Sequence, residues 1–176
     1  MSISKNDNNN SNLSKEIFLA VLDDINQLDT ISQEIWGESG KYSNNFYTSA
    51  INQDLSYVYK ENNIIIAFCL IRYDSKSNQV GIILLCVKKN YQRKGLGKTL
   101  LKYCIDNCKK KGYENFYLHV AVANIPAINL YIKLGFEGVK HLPNYYSKEK
   151  WPYNEAFLMK LEKENKILDK KSEKMT

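Results

Sequence analysis

A chain of 176 residues is the size of one ordinary domain, long enough to bury a substantial core. With 44% hydrophobic residues, 25% charged residues and a net charge of +6, it falls outside the disordered, collagenous and disulfide-scaffold classes. No apolar run reaches membrane-spanning length and no apolar h-region opens the chain, so a cytoplasmic protein with neither span nor secretory signal is expected.

Residues 1–12, rich in Asn and Ser, have nothing to bury and are expected to be a disordered tail ahead of a single domain over 13–163. Ile17, Val21, Leu22, Ile25 and Leu28 keep helical spacing and predict a first helix ending near Asp29. Ile31 to Lys41 holds Gly37 and Gly40 and reads as a loop carrying Trp36, and Tyr42 to Ile51 as a short second helix. Leu55–Lys60 and Ile64–Tyr73 read as an antiparallel hairpin across Glu61-Asn62-Asn63, followed by a turn at Asp74–Asn78 and a strand at Gln79–Val87. A glycine-containing loop follows, then a helix from Thr99 to Cys108. Asn115–Val122 reads as a strand, and Asn124 as the N-cap of a helix that has Pro126 in its first turn and ends at Gly135. After Phe136 come a short strand, a loop with Pro143, Tyr145, Tyr146, Trp151 and Pro152, and a final strand at Glu155–Leu161. Residues 164–176 mix Lys with Glu and Asp and read as a solvated tail. The whole is an α/β chain with a mixed central sheet flanked by helices, without internal repeats. Cys69, Cys86, Cys104 and Cys108 lie in apolar segments, which suits core packing in a reducing compartment better than a metal site.

The loop Tyr91-Gln92-Arg93-Lys94-Gly95-Leu96-Gly97-Lys98 carries the first chemical signal. Strand, glycine loop and helix together aim backbone N–H groups at one spot, and Gly95 and Gly97 let a phosphate come close to the backbone. Arg93, Lys94 and Lys98 surround that spot with full charges. The Walker pattern is excluded by Gln92, which stands where its first glycine belongs, and the dinucleotide fingerprint by Leu100, which stands where its third glycine belongs. A plain strand-to-helix turn in a Lys-rich surface is the other reading. Basic residues recur from Lys88 to Lys111 against Asp106 alone, yet no motif for specific nucleic-acid recognition accompanies them.

What the loop does fit is Gln/Arg-x-x-Gly-x-Gly/Ala, and Asn124-x-x-Ala127-x-x-x-Tyr131-x-x-x-Gly135-Phe136 supplies a second motif downstream. In order and spacing both resemble the cofactor motifs of the GCN5-related N-acetyltransferase (GNAT) superfamily. From about Lys15 to Lys163 the chain resembles protein N-terminal acetyltransferases, nearest those of the catalytic subunit of the NatE complex, through Tyr117-Leu118-His119-Val120 and Asn144-Tyr145-Tyr146. The resemblance implies acetyl-CoA as cosubstrate and no metal. It assigns the coenzyme to Gln92–Lys98, Asn124, Ala127 and Tyr131, with backbone donors at Leu85, Cys86 and Val87. It implies His119 as general base and Tyr131 as proton donor to the sulfur. Trp36, Tyr42, Ile83, Tyr145 and Tyr146 would meet the peptide. The implied partners are protein or peptide N-termini, and with them subunits of an N-terminal acetyltransferase complex and the ribosome.

One departure stands out. The strand tyrosine that assists the histidine in these enzymes falls on Gly81. A tyrosine placed at 81 would restore that hydroxyl, unless a strand adapted to glycine rejects it. The chemistry explains the interest in His119. An α-amine with pKa near 8 is about a tenth neutral at pH 7, whereas a Lys amine is neutral roughly once in a few thousand molecules. A base of pKa about 6.5 is matched to the former. Three readings stay open at this point: an N-terminal α-amine acetyltransferase, an acetyl-CoA-binding auxiliary subunit of a larger complex, and an enzyme acting on Lys or small amines.

Overall fold

The computed structural model of the chain describes residues 15–146 and 154–161; the two tails expected at 1–12 and 164–176, and the loop residues Trp151 and Pro152, lie outside the described residues. In chain order the elements are β1 (Lys15–Leu19), α1 (Ile25–Trp36), α2 (Asn44–Ile51), β2 (Tyr57–Glu61), β3 (Ile64–Asp74), β4 (Gln79–Val87), α3 (Leu96–Lys110), β5 (Phe116–Ala121), α4 (Ile125–Ile132), β6 (Glu137–Leu142) and β7 (Ala156–Leu161). Single 3-10 turns occupy Leu22–Asp24, Gly37–Gly40 and Lys89–Tyr91. The strands form one sheet in the order β1-β2-β3-β4-β5-β7-β6. β4 and β5 run parallel, and every other pairing is antiparallel.

Burial separates the two faces of this sheet. α3 lays Leu100, Leu101, Cys104, Ile105 and Cys108 against Val80, Ile82, Leu118 and Val120. On the opposite face α1 and α2 pack Leu28, Ile31, Tyr47, Ala50 and Ile51 against Val58, Phe68, Leu70 and Cys86. β3 is central, so it is buried without a break from Ile65 to Ile71, as a strand covered on both sides must be. β5 alternates instead: Phe116, Leu118 and Val120 are buried under α3, while Tyr117, His119 and Ala121 face the other way and are half-buried. That alternation delivers His119 to the α1–α2 side. The β2–β3 hairpin turns on Asn62 and Asn63, both at positive φ (50° and 63°), the geometry a two-residue hairpin loop requires.

The N-terminal third differs from the expectation. Lys15–Leu19 is an edge strand on β2, not the start of a helix. α1 begins only at Ile25 and continues through Trp36, across the segment expected to be a loop. The open edge of β2 supplies backbone partners to Lys15–Leu19, and Phe18 and Leu19 remain 43% and 39% exposed, so their apolar character marks no helix face. A turn then separates strand from helix, held by Val21 N donating to Asp24 Oδ2 at 3.0 Å. Gly37, at φ 61°, ends α1 directly after Trp36. The third helix also begins earlier than its apolar spacing suggests, at Leu96, which places Lys98 inside its first turn.

Candidate active site

The sheet splits at its centre. β4 and β5 pair only through Val80, Ile82 and Gly81 with Phe116, Leu118 and Tyr117. Beyond that point, among the described residues, Leu84–Val87 pair with β3 alone while β5 turns to β7. The register of β3 and β4 shifts between Leu70 and Ile71, so Ile83 has no opposite number and β4 bends away at this bulge. Alternate backbone groups of Leu84–Val87 therefore face the wedge with no ladder partner. A cleft of about 770 Å³ opens there, lined by the wedge, the glycine loop, α4 and the end of α1.

At one end of the cleft lies the start of α3. Gly95, at φ 81°, is its N-cap residue, and among the described residues no side chain caps the first amides. A Cβ at Gly95 would meet no protein atom within 4 Å, so the backbone angle alone restricts the position to glycine. Gly97 is different: a Cβ there would touch Leu130 at 3.4 Å and Val87 at 3.5 Å, which a single methyl tolerates. Gln92 Nε2 donates to the Val87 carbonyl at 2.9 Å and ties the loop to the end of β4. Arg93 and Lys98 line the cleft beside Leu96 and these glycines. Lys94 does not; its Nζ lies 5.2 Å from the centroid of the Tyr91 ring.

At the other end sit His119 and a set of tyrosines. The His119 imidazole stacks on Tyr145 with centroids 4.4 Å apart and planes 19° apart, and Tyr117 meets it edge-on at 5.9 Å. Burial lowers the His119 pKa below its ordinary 6.5, so near neutral pH the ring is an uncharged acceptor. Tyr146 stands perpendicular to Tyr145 at 4.9 Å, and burial, with Tyr145 and Tyr42 nearby, pushes its hydroxyl up to about 12. Tyr42 stacks on Phe46 at 4.4 Å, and its backbone amide donates to Asp29 Oδ1 at 3.5 Å. With Trp36 and Ile35 it forms the wall of the cleft contributed by α1 and the loop after it. Tyr131 enters from α4. It is 8% exposed, and burial first, then the Cys69 and Cys86 thiols, hold its hydroxyl far above the ordinary phenol range. It is a protonated donor at any working pH. Asn124 caps α4 by accepting from Ala127 N at 3.3 Å, which sets this helix against the wedge.

Most of the residues singled out from the sequence converge on this one cleft: Trp36, Tyr42, Ile83, Leu85, Val87, the loop from Gln92 except Lys94, His119, Asn124, Ala127, Tyr131 and Tyr146. Cys86 does not line it. Its side chain is buried in the α1–α2 core, where burial raises its pKa well above the ordinary thiol value. Tyr145 reaches the cleft only through its stack on His119. Cys104 and Cys108 lie on the buried face of α3, their thiols also raised by burial. Several lining residues were not read as site residues in the sequence, among them Leu84, Leu130 and Lys133. Tyr117 was read only as part of the His119 motif, and the pairing of β4 with β5 is what places it against Gly81. A Cβ on Gly81 would stand 2.8 Å from both Cζ and Oη of Tyr117. The Tyr117 ring thus fills the space of a side chain at 81, and any residue larger than glycine there requires that ring to move.

Comparison with known proteins agrees with this geometry. Residues 21–136 match the acetyltransferase (GNAT) family. The chain is 33% identical over 128 residues to N-alpha-acetyltransferase 50 of Danio rerio, covering 70% of this chain and 75% of that protein. It is 33% identical over 102 residues to the ribosomal protein bS18-alanine N-acetyltransferase of Escherichia coli (strain K12), covering 56% of this chain and 68% of that one. Among solved structures, Arabidopsis thaliana Naa50 in complex with the bisubstrate analogue CoA-Ac-MVNAL is similar with a TM-score of 0.74 and 25% identity, over 84% of this chain and 98% of that chain. A split sheet over a glycine-loop helix, together with these matches, establishes that the chain belongs to the GNAT family, resembles its NatE-type members, and is an acetyl-CoA-dependent acetyltransferase.

Proposed function

We propose that the protein acetylates the α-amine of protein or peptide N-termini by direct transfer from acetyl-CoA. The observation that carries this reading is the pair of groups that line one cleft: a neutral, half-buried His119 and a buried, protonated Tyr131. Acyl transfer from a thioester needs a group that takes a proton from the amine and another that gives one to the departing sulfur. His119 accepts the first as the C–N bond forms, and Tyr131 supplies the second as the C–S bond breaks; solvent exchange then restores both. Backbone donors at Leu85–Val87 strengthen the polarisation of the acyl oxygen as charge develops on it. The start of α3, with uncapped amides and Arg93 and Lys98 beside them, fits a diphosphate.

The acceptor class follows from the amine end. His119 has a pKa below 6.5 and is matched to an amine that is already partly neutral near pH 7, as an α-amine is. Trp36, Tyr42, Tyr145 and Tyr146 offer the aromatic walls that an extended N-terminus needs. Two relatives support the reading by what their names say they acetylate: N-alpha positions in one, and the alanine of ribosomal protein bS18 in the other. Four buried free thiols suit a reducing, cytoplasmic setting, and among the described residues no helix is long and apolar enough to cross a membrane. The test is a peptide library presented with free and with blocked N-termini. Transfer to the free set alone supports the reading, whereas equal transfer to both, through Lys side chains, defeats it.

A further inference from the structure

Gly81 and Tyr117 are register partners on β4 and β5, in the last stretch before the strands separate. The phenol of Tyr117 does not rise away from the sheet. Its Cζ and Oη lie 2.8 Å from where a Gly81 Cβ would stand, with Ile83 Cδ1 at 3.2 Å from the same point. The ring thus lies across β4 in the space a side chain at 81 would fill, and its hydroxyl end reaches that strand. Tyr117 shares a face of β5 with His119, two residues on, and meets it edge-on. On the far side of Gly81 the cross-strand partner is Arg72, whose Nε is buried without a hydrogen-bond partner among the described residues. Arg72, Gly81 and Tyr117 form one row across three strands, so a cation and a phenol flank the glycine.

We propose that Tyr117 is the positioning partner of His119, its hydroxyl occupying from β5 the place that Gly81 leaves open on β4. A hydroxyl both donates and accepts, so it holds the amine, or one bridging water, in line with the imidazole. It carries no net proton: the amine proton ends on His119, as in the reaction above, on which this inference rests. The glycine is then no gap in the site. It is the condition for the phenol to lie where it does.

The experiment compares Tyr117→Phe, His119→Ala and the double variant, with calorimetric acetyl-CoA affinity as the control for folding. Tyr117→Phe keeps the ring and removes the hydroxyl; kcat is expected to fall about tenfold or more with acetyl-CoA affinity unchanged. Because the two groups act as a unit, the double variant is expected to be no slower than His119→Ala within about twofold. A purely structural tyrosine would instead give losses that multiply. Gly81→Ala should displace the phenol, reproduce the Tyr117→Phe loss and lower Tm by several degrees. Tyr117→Ala should relieve that Tm penalty in the double variant. Wild-type kcat in Tyr117→Phe, multiplicative losses, or a Gly81→Ala penalty that persists without the Tyr117 ring would each overturn the inference. If only Lys or small amines are turned over, the N-terminal reading fails while the same comparison, run on that amine, still decides Tyr117. A wild-type protein inert toward every amine overturns both.

Discussion

Replacing His119 by alanine probes the reaction where it is least redundant. Among the described residues lining the cleft there is no Asp or Glu; its other ionisable side chains are Arg93, Lys98, Lys133 and tyrosines. None of these is a ready base near pH 7, so no neighbour substitutes for the lost imidazole. Removing a positioned general base costs a factor of about 100 or more in kcat, equivalent to about 2.7 kcal/mol of transition-state stabilisation. The fold should persist. The ring is half-buried, and losing its stack on Tyr145 costs about 0.5–1.5 kcal/mol against a total of about 5–15. Steady-state kinetics should therefore show a lower kcat with little change in the KM for acetyl-CoA. The pH–rate profile adds a second signature. The imidazole must be neutral to accept a proton, and burial holds its pKa below 6.5, so the wild-type rate should rise with pH through a limb centred below that value. The alanine variant should lack the limb. A variant with wild-type kcat and an intact acid limb would mean that another group, or a water chain ending on backbone carbonyls, takes the proton.

Tyr131→Phe removes the buried hydroxyl proposed to protonate the departing sulfur and should lower kcat about 100-fold while leaving the acid limb in place, since the group proposed to set that limb is untouched. Gly95→Val forces a β-branched residue to φ 81° at a cost of about 1–3 kcal/mol; calorimetry should show acetyl-CoA affinity down about tenfold or more, with Gly97→Ala much milder. Tyr47→Phe strips the hydroxyl that bonds Asp29 at 3.1 Å and Ser32 at 3.2 Å between α1 and α2; thermal unfolding should show a loss of about 1–2 kcal/mol with acetyl-CoA affinity unchanged.

What was legible in the sequence was what chemistry writes locally. Gly95 needs a positive φ, Asn124 caps a helix with Pro126 in its first turn, and alternation on β5 puts His119 opposite Leu118; each leaves a mark within a few residues. What was illegible depends on residues far apart. Lys15–Leu19 forms a strand only because β2, at Tyr57–Glu61, has an open edge far away in the chain. The apolar spacing there is compatible with a helix, and nothing local decides against one. α1 outruns its expected end because Gly37 can act as a cap after Trp36, so the glycine punctuated the helix without shortening it. The same limit hid where Tyr117 lies. In sequence Gly81 looks like a missing side chain, and only the parallel register of β4 with β5 brings a second tyrosine over it. Cys86 shows the converse: its backbone belongs to the wedge strand, but strand alternation turns its thiol into the core.

The most direct measurement is the position of the transferred acetyl group. A peptide carrying one free α-amine and one internal Lys, incubated with the protein and acetyl-CoA and fragmented by mass spectrometry, reports both amines in a single reaction. His119 and Tyr131 in one cleft, with tyrosines beside them, predict acetyl on the α-amine, dependent on acetyl-CoA and abolished when the N-terminus is blocked. Acetyl on the Lys side chain, undiminished by that block, would contradict it.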